Sequence, residues 1–226
     1  MENLSSDLDN LRLHYREIFL KTAQEIKNRI DLLKPANLDG EILDKYAVDT
    51  EGYKWQQKVL EMFELDISKE ICRKISEIKQ NREAVSCVGC GVCCKLACSE
   101  FSPEELKIKA KNGDSFANQF IQTFVPYESV EQARLIYPEY VKMLEDKNET
   151  GYYFYHCPKV TEDNRCPDYE NRPQICRDFP DNPLAFLPIS CGYKDWKIKS
   201  EPVALMLNAM VEIIGFYQDK IKELQK

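Results

Sequence analysis

A dense run of cysteines is the part of this sequence best suited to do chemistry. Four cysteines lie within eight residues, in the order Cys-x2-Cys-x2-Cys-Cys, and four more follow at wide spacing. Thiolates this close together repel one another unless a cation or cluster binds them or oxidation joins them in pairs. The pattern therefore predicts that the chain folds back to build a metal site from both sets. The sets are Cys87, Cys90, Cys93 and Cys94, and Cys157, Cys166, Cys176 and Cys191.

The expected compartment decides between metal ligation and disulfides. Residues 1–7 have neither the basic nor the apolar region of a signal peptide, and no apolar run approaches the roughly 18 residues that span a bilayer. We therefore expect a cytoplasmic protein without a membrane partner. In a reducing cytosol, ten cysteines favour metal ligation over structural disulfides.

The overall charge and the missing motifs limit the function further. A net charge of −7 and a pI near 5.1 argue against nucleic-acid binding, which needs a basic surface. The sequence also has no Walker loop, Rossmann glycine pattern, G-x-S-x-G elbow or H-E-x-x-H helix. The cysteines thus remain the main functional indication.

The spacing predicts a metal but leaves its identity open. Three cysteines at x2 intervals are typical of bacterial ferredoxins, whereas Cys-x2-Cys pairs also occur in tetrahedral zinc sites. Cys93 and Cys94 are adjacent, and successive side chains diverge in a helix or a strand, so both seldom serve one mononuclear site. Eight ligands could form two four-cysteine sites, one polynuclear cluster, or one four-cysteine cluster beside functional thiols.

The same residues resemble a known family. Four parts of the sequence are similar to the YkgJ-type cysteine-cluster family, the CxxCxxCC zinc- or iron-chelating domain: the run from Cys87 to Cys94, Cys157, the segment Cys166-x2-Tyr-Glu-x-Arg-Pro-x2-Cys176-Arg-x-Phe-Pro, and Cys191. The resemblance covers roughly residues 84–194. It implies that the eight cysteines bind zinc or an iron–sulfur cluster, which we expect to be of the 4Fe-4S type. Flagellin lysine methylases carry a similar domain, with which iron–sulfur ligation is associated.

The elements that must position the cysteines are mainly helical. Apolar residues at helical spacing predict a helix over residues 6–34, a second over 53–82 and a C-terminal helix starting near Val203. We divide the chain into a helical hairpin (1–83), the cysteine-cluster domain (84–194) and a C-terminal helix packed on the rest (195–226). The fold class is mainly α with a small, loop-rich, minor-β metal-binding region.

Within the cysteine domain the predicted elements are short. Ser102-Pro-Glu-Glu105 is a capping box that begins a helix ending near Asn112, and residues 114–146 should be helical pieces broken at Pro126 and Pro138. The aromatic segment 151–156 predicts a strand, and residues 157–194 predict loops.

Several other residues carry weaker indications. We expect Cys72 to be a buried structural thiol, because it lies beside the apolar residues of the second helix, and we assign Cys98 no ligand role. His156 is expected to be structural and His14 to lie on the surface. We expect Arg172 and Arg177 to offset thiolate charge or hold an anionic substrate group, to be tied to neighbouring acidic residues, or to do both.

Three functions fit the sequence. The first is a metal or iron–sulfur protein whose centre is structural or transfers electrons. The second, by analogy with the methylases, is an iron–sulfur-dependent enzyme that methylates a protein lysine. The third is a zinc-stabilised interaction module whose N-terminal helices bind a protein partner.

Overall fold

The computed structural model describes residues 4–146, 151–188 and 190–226, without the side chains of residues 4–11 and 146. The described chain is mainly helical with one small antiparallel sheet, which confirms the predicted fold class. The helices are α1 (Leu4–Leu32), α2 (Glu51–Met62), α3 (Ser68–Glu83), α4 (Val92–Lys95), α5 (Pro103–Lys111), α6 (Ser115–Thr123), α7 (Val130–Ile136), α8 (Pro138–Asp146), α9 (Gln174–Asp178) and α10 (Lys194–Leu224). A π-helical segment spans Phe63–Ile67, and the strands are β1 (Ala97–Ser99), β2 (Val125–Pro126) and β3 (Tyr153–His156).

The chain divides into two compact units. We call residues 6–83 together with 197–226 the helical unit, and residues 84–196 the cysteine unit. The boundary at the C-terminal side falls inside α10, so this helix contributes its first residues to the cysteine unit and the remainder to the helical unit.

In the helical unit, α1 and α2 pack through the apolar positions that their periodicity predicts. Ile26 and Ile30 of α1 are buried in one cluster with Trp55 and Val59 of α2. The Trp55 indole Nε1 donates a hydrogen bond of 3.0 Å to the Ile30 carbonyl, which fixes the end of α1 against the beginning of α2. Leu8 and Leu11, also predicted on this stripe, lie outside the described side chains.

The predicted second helix is interrupted by a wider turn. Helices α2 and α3 follow one another directly through the π-helical segment, in which the hydrogen bonds span five residues instead of four. Thr50 caps α2 by accepting a hydrogen bond from the Tyr53 N–H at 3.3 Å. Phe63 and Ile67 of the π segment are buried, whereas no residue of α3 is.

The C-terminal helix completes the core of the helical unit. The buried residues of α10 in this cluster are Leu207, Ala209, Met210, Ile213, Ile214 and Ile221. The loop before α2 is held by Gln56, whose Nε2 donates to the carbonyls of Ile42 at 2.9 Å and Asp44 at 3.0 Å. A buried polar side chain is stable here because its donors are satisfied by the loop backbone.

Over residues 102–146 of the cysteine unit the helices begin and end close to where the sequence predicts, whereas the segment 157–194, predicted as loops, contains the short helix α9. The capping box at α5 is formed by reciprocal hydrogen bonds between Ser102 and Glu105. Helix α6 ends before Pro126, and Pro138 opens α8 at the first helical position, where its missing N–H costs nothing.

The sheet has the order β1–β3–β2, with both pairings antiparallel. The strand predicted over residues 151–156 is confirmed as β3. Phe154 and Tyr155 point to opposite faces of the strand, and each belongs to a different apolar cluster. Phe154 packs with Leu96, Ala133, Val141 and Leu144, and Tyr155 packs with Leu106, Ala117 and Phe120.

Over the described residues, no helix combines the length and the apolar character that a membrane crossing requires.

Candidate metal centre

All eight motif cysteines line one cavity of the cysteine unit. Its volume is about 500 Å³, and the cysteines in its wall are half-buried and not joined in disulfides. They are Cys87, Cys90, Cys93, Cys94, Cys157, Cys166, Cys176 and Cys191; Cys98 also reaches this wall.

Two glycines let the cysteine run fold tightly. Gly89 and Gly91 have φ values of 71° and 75°, in the left-handed region that residues with a Cβ avoid. The Gly89 N–H lies 3.4 Å from the Cys87 sulfur and donates to it. The short helix α4 starts directly after Gly91, whose carbonyl accepts from the Cys94 N–H at 3.1 Å. The run thus presents its sulfurs from a loop followed by a single helical turn.

The sheet brings the second set of cysteines to the first. Ala97 of β1 pairs with Tyr155 of β3, and because the pairing is antiparallel, the chain after β3 runs beside the residues before β1. The Cys157 N–H accordingly donates to the Cys94 carbonyl at 2.7 Å.

Cys191 reaches the beginning of the run by a close backbone approach. A Cβ on Gly192 would lie 2.7 Å from the Ser86 carbonyl oxygen and 2.8 Å from Val88, so this position requires glycine. The Cys90 and Cys87 thiols lie close enough to Cys191 to act on its charge, and the Cys191 sulfur accepts from the Tyr193 N–H. Burial raises the pKa of Cys191, which the Tyr193 N–H partly opposes.

The adjacent pair has opposite acidities. Cys93 donates its thiol hydrogen to the Cys94 sulfur, and this bond, together with burial and nearby thiols, raises the pKa of Cys93. The same hydrogen bond, opposed by burial and aided by the charge of Arg172, lowers the pKa of Cys94 to about 7. Cys94 is therefore readily ionised near neutral pH, which is the form that binds metal.

Cys176 lies among the later cysteines. Burial and then the negative charges of Cys94, Cys157 and Cys166 raise its pKa to about 11, and Arg172 opposes them. A bound cation would remove this repulsion, because a metal ion is the largest positive charge such a site can hold.

The two arginines have different contacts. Arg172 stacks on the Tyr169 ring at 4.0 Å and faces the sulfurs of Cys87, Cys94 and Cys176 closely enough to act on their charges. Arg177 donates to two backbone carbonyls, those of Arg172 at 2.9 Å and Glu170 at 2.7 Å. Arg172 thus lies where its charge can offset that of the thiolates, and Arg177 ties the loop through two of its backbone carbonyls.

One cysteine prediction is wrong. Cys72 was expected to be buried, but it is exposed on α3. Its neighbour Ile71 packs against the core, and one residue along an α-helix turns the side chain by about 100° away from that direction. His14 is exposed as predicted, and the half-buried His156 packs its ring against Tyr127 at 4.7 Å.

The sequence did not indicate the aromatic wall of the cavity. Tyr140 stacks on Phe186 at 4.9 Å, and its hydroxyl lies 2.9 Å from the Cys98 sulfur. Phe116, Phe120 and Phe124 also line the cavity from α6 and its end. Their spacing of four residues was a usable signal for one helical face, but it did not say that this face borders the cysteines.

The donor set fits zinc or iron chemically. Sulfur ligands without competing disulfides select zinc, Cu(I) and iron–sulfur clusters over hard cations. Within the described ranges, no three or more His, Cys, Asp or Glu side chains already have the geometry of a metal site.

Comparison with family models matches residues 86–202, more than half of the chain, to CxxCxxCC, described as a "putative zinc- or iron-chelating domain". Neither a curated protein nor a solved structure gives a significant match.

Proposed function

The chain belongs to this CxxCxxCC family, and from that premise we propose that it is a cytoplasmic metal protein whose eight cysteines hold zinc or an iron–sulfur centre. The observation that carries the proposal is the single cavity lined by all eight thiols, none of them in a disulfide. The role of such a centre would be structural for zinc and electron transfer for an iron–sulfur cluster.

The residues around the cavity support metal ligation in two ways. In their described part, the loops from Cys157 to Cys191 contain one helix of five residues, α9, and their other backbone hydrogen bonds are those of isolated turns. Metal bonds would supply that order, because structural metals contribute directly to folding free energy. Arg172 and the N–H groups of Gly89 and Tyr193 would stabilise the thiolates in the ligated form.

Metal analysis of anaerobically purified full-length protein tests this proposal. We expect stoichiometric zinc, or iron with labile sulfide and absorbance near about 400 nm. Cys90→Ser and Cys176→Ser should each lower the metal content, whereas Cys72→Ser, a matched exchange at an exposed thiol, should not. Metal-free wild-type protein, or unchanged metal in both motif variants, would contradict metal ligation by these cysteines.

A second candidate is an iron–sulfur-dependent enzyme of the protein-lysine methyltransferase type. The observation in its favour is the cavity itself, since about 500 Å³ with an aromatic wall is within the range of small-molecule sites. Its test is calorimetry with S-adenosylmethionine on the metal-loaded protein. Heat of binding that Phe186→Ala weakens and Cys72→Ser does not would support it, and no binding at millimolar ligand would reject it.

A further inference from the structure

The wall of the cysteine cavity has an aromatic part beside the thiols. The Tyr140 and Phe186 rings are stacked, with centroids 4.9 Å apart and 21° between their planes, and the Tyr137 ring lies 5.3 Å from that of Phe186. All three side chains line the cavity and belong to the cysteine unit. We call Tyr137, Tyr140 and Phe186 the ring cluster.

Two contacts hold the ring cluster close to the cysteines. The Tyr140 hydroxyl lies 2.9 Å from the sulfur of Cys98, which reaches the same wall. Phe186 lies five residues before Cys191, and the Cys191 N–H donates to the Pro188 carbonyl at 3.0 Å, which turns the chain there. The ring cluster is therefore positioned beside the thiols by both side-chain and backbone contacts.

The cavity is larger than a metal with its ligand bonds requires. Zinc–sulfur bonds are about 2.3 Å long, so a bound ion fills only the space immediately between its sulfurs. The cavity has a volume of about 500 Å³, which is within the range of small-molecule sites. Metal ligation therefore leaves space in front of the ring cluster for an organic ligand.

The charge of the cavity selects the kind of ligand. Among the described residues of the wall other than the thiols, Lys159 and Arg172 are balanced by Asp168 and Asp181. Cysteines bind metal as thiolates, and four thiolates outweigh the two positive charges of one zinc ion. The same excess of negative charge holds for an iron–sulfur cluster with four thiolate ligands. The loaded cavity therefore attracts cations and repels anions.

Aromatic faces complement an organic cation in the same way. The face of a tyrosine or phenylalanine ring has a negative potential that attracts an ammonium or guanidinium group. This wall already contains one such contact, because the Arg172 guanidinium lies 4.0 Å from the centre of the Tyr169 ring. A neutral ligand would gain only the burial of its apolar surface.

We propose that the space between the ring cluster and the thiols binds a small organic cation of the quaternary ammonium type. Its alkyl groups would pack against the rings, and its charge would be stabilised by the neighbouring metal–thiolate centre. This inference rests on the proposed function, because the ligated thiolates supply the negative charge, and it deepens that function by naming a class of ligand.

A pair of probes with the same shape and different charge tests the proposal on the wild-type protein. Choline and 3,3-dimethylbutan-1-ol differ in that a carbon replaces the charged nitrogen. Each is titrated into metal-loaded full-length protein in a calorimeter. We expect choline to bind about tenfold more tightly than the neutral alcohol, because the alcohol has no cation–ring attraction.

Substitutions in the ring cluster provide the second measurement. Phe186→Leu keeps an apolar side chain without the ring, so choline affinity should fall about fivefold while binding of the alcohol changes little. Tyr140→Leu should also weaken choline binding, and Tyr140→Phe should recover most of the loss because it restores the ring. Phe216→Leu is the matched control, because Phe216 is 52% exposed on α10 in the helical unit.

The outcomes separate this inference from the proposed function, because the metal content of each sample is measured as well. Wild-type protein without metal would overturn both. Metal-loaded wild-type protein that does not bind choline at millimolar concentration, or binds it no more tightly than the alcohol, would overturn only the cation site. Equal losses of choline affinity in Phe186→Leu and Phe216→Leu would likewise reject the ring cluster as its location.

Discussion

The helical unit and the cysteine unit bury their apolar side chains very differently. In the helical unit, Trp55, Val59 and Phe63 are at most 1% exposed and belong to one cluster shared by α1, α2 and α10. The described part of the cysteine unit has two smaller clusters of buried side chains on opposite faces of β3, and beside them a cavity walled by thiols. The comparison leads us to expect that packing orders the first unit and that metal bonds order the loops of the second.

Metal removal should produce the largest difference in stability between the two units. A structural zinc site contributes on the order of 10 kcal/mol to folding, more than one side chain in a core. Chelation should therefore remove amide hydrogen-exchange protection from residues 157–188 while α2 keeps its protection. Exchange mass spectrometry with and without chelator measures this. Equal loss of protection in both regions would show that the helical unit also depends on the metal.

The second test creates a cavity in the core of the helical unit. Phe63 is buried and its ring lies 6.2 Å from that of Tyr217, so Phe63→Ala should cost about 3–5 kcal/mol. Chemical denaturation followed by far-UV circular dichroism measures the loss. Leu65→Ala in the same π segment is the matched control, because Leu65 is 48% exposed and its removal should change stability little.

The metal content should stay unchanged in this second experiment. Phe63 lies outside the cysteine unit, so the folded variant should keep wild-type metal under native conditions. Loss of metal in proportion to the loss of stability would refute the separate origins of order in the two units.

The helical unit was largely predictable, because the apolar residues that form its core recur at helical spacing along the sequence. The stripe that contains Trp55 and Val59 has the period of a helix, and those residues are buried as that period requires. The π segment was not predictable, because one extra residue in a turn shifts the stripe only slightly. Cys72 was misplaced for a related reason, since adjacency in sequence to Ile71 does not place it on the same helical face.

The cysteine unit was predictable in its ligand types and much less in its geometry. The spacing and the family resemblance identified the thiols that line the cavity, and the capping box at Ser102 gave the start of α5. Strands β1 and β2 have three and two residues, which is too short for any period. Which cysteine faces which depends on how β1 and β2 pair with β3. Eight residues of the same type carry no information about that pairing.

The smallest expected effect concerns two glycines in the cysteine run, whose substitution tests the contacts of the neighbouring loop. Gly89 and Gly91 have nearly the same left-handed φ, so alanine at either position should cost about 1–2 kcal/mol of backbone strain. An alanine at Gly89 would meet nothing within 4 Å, whereas one at Gly91 would strike Asn164 at 2.5 Å. Gly91→Ala should therefore release metal to a chelator faster than Gly89→Ala does.

The difference between these two variants isolates the contact with Asn164. Adding Asn164→Gly to Gly91→Ala removes the side chain that the new Cβ strikes, and Asn164 itself has a φ of 66° that glycine adopts without strain. The double variant should therefore release metal about as slowly as Gly89→Ala, as measured by the chelator-bound metal over time. Equal rates for the two single variants would mean that the loop carrying Cys166 is not held against the cysteine run.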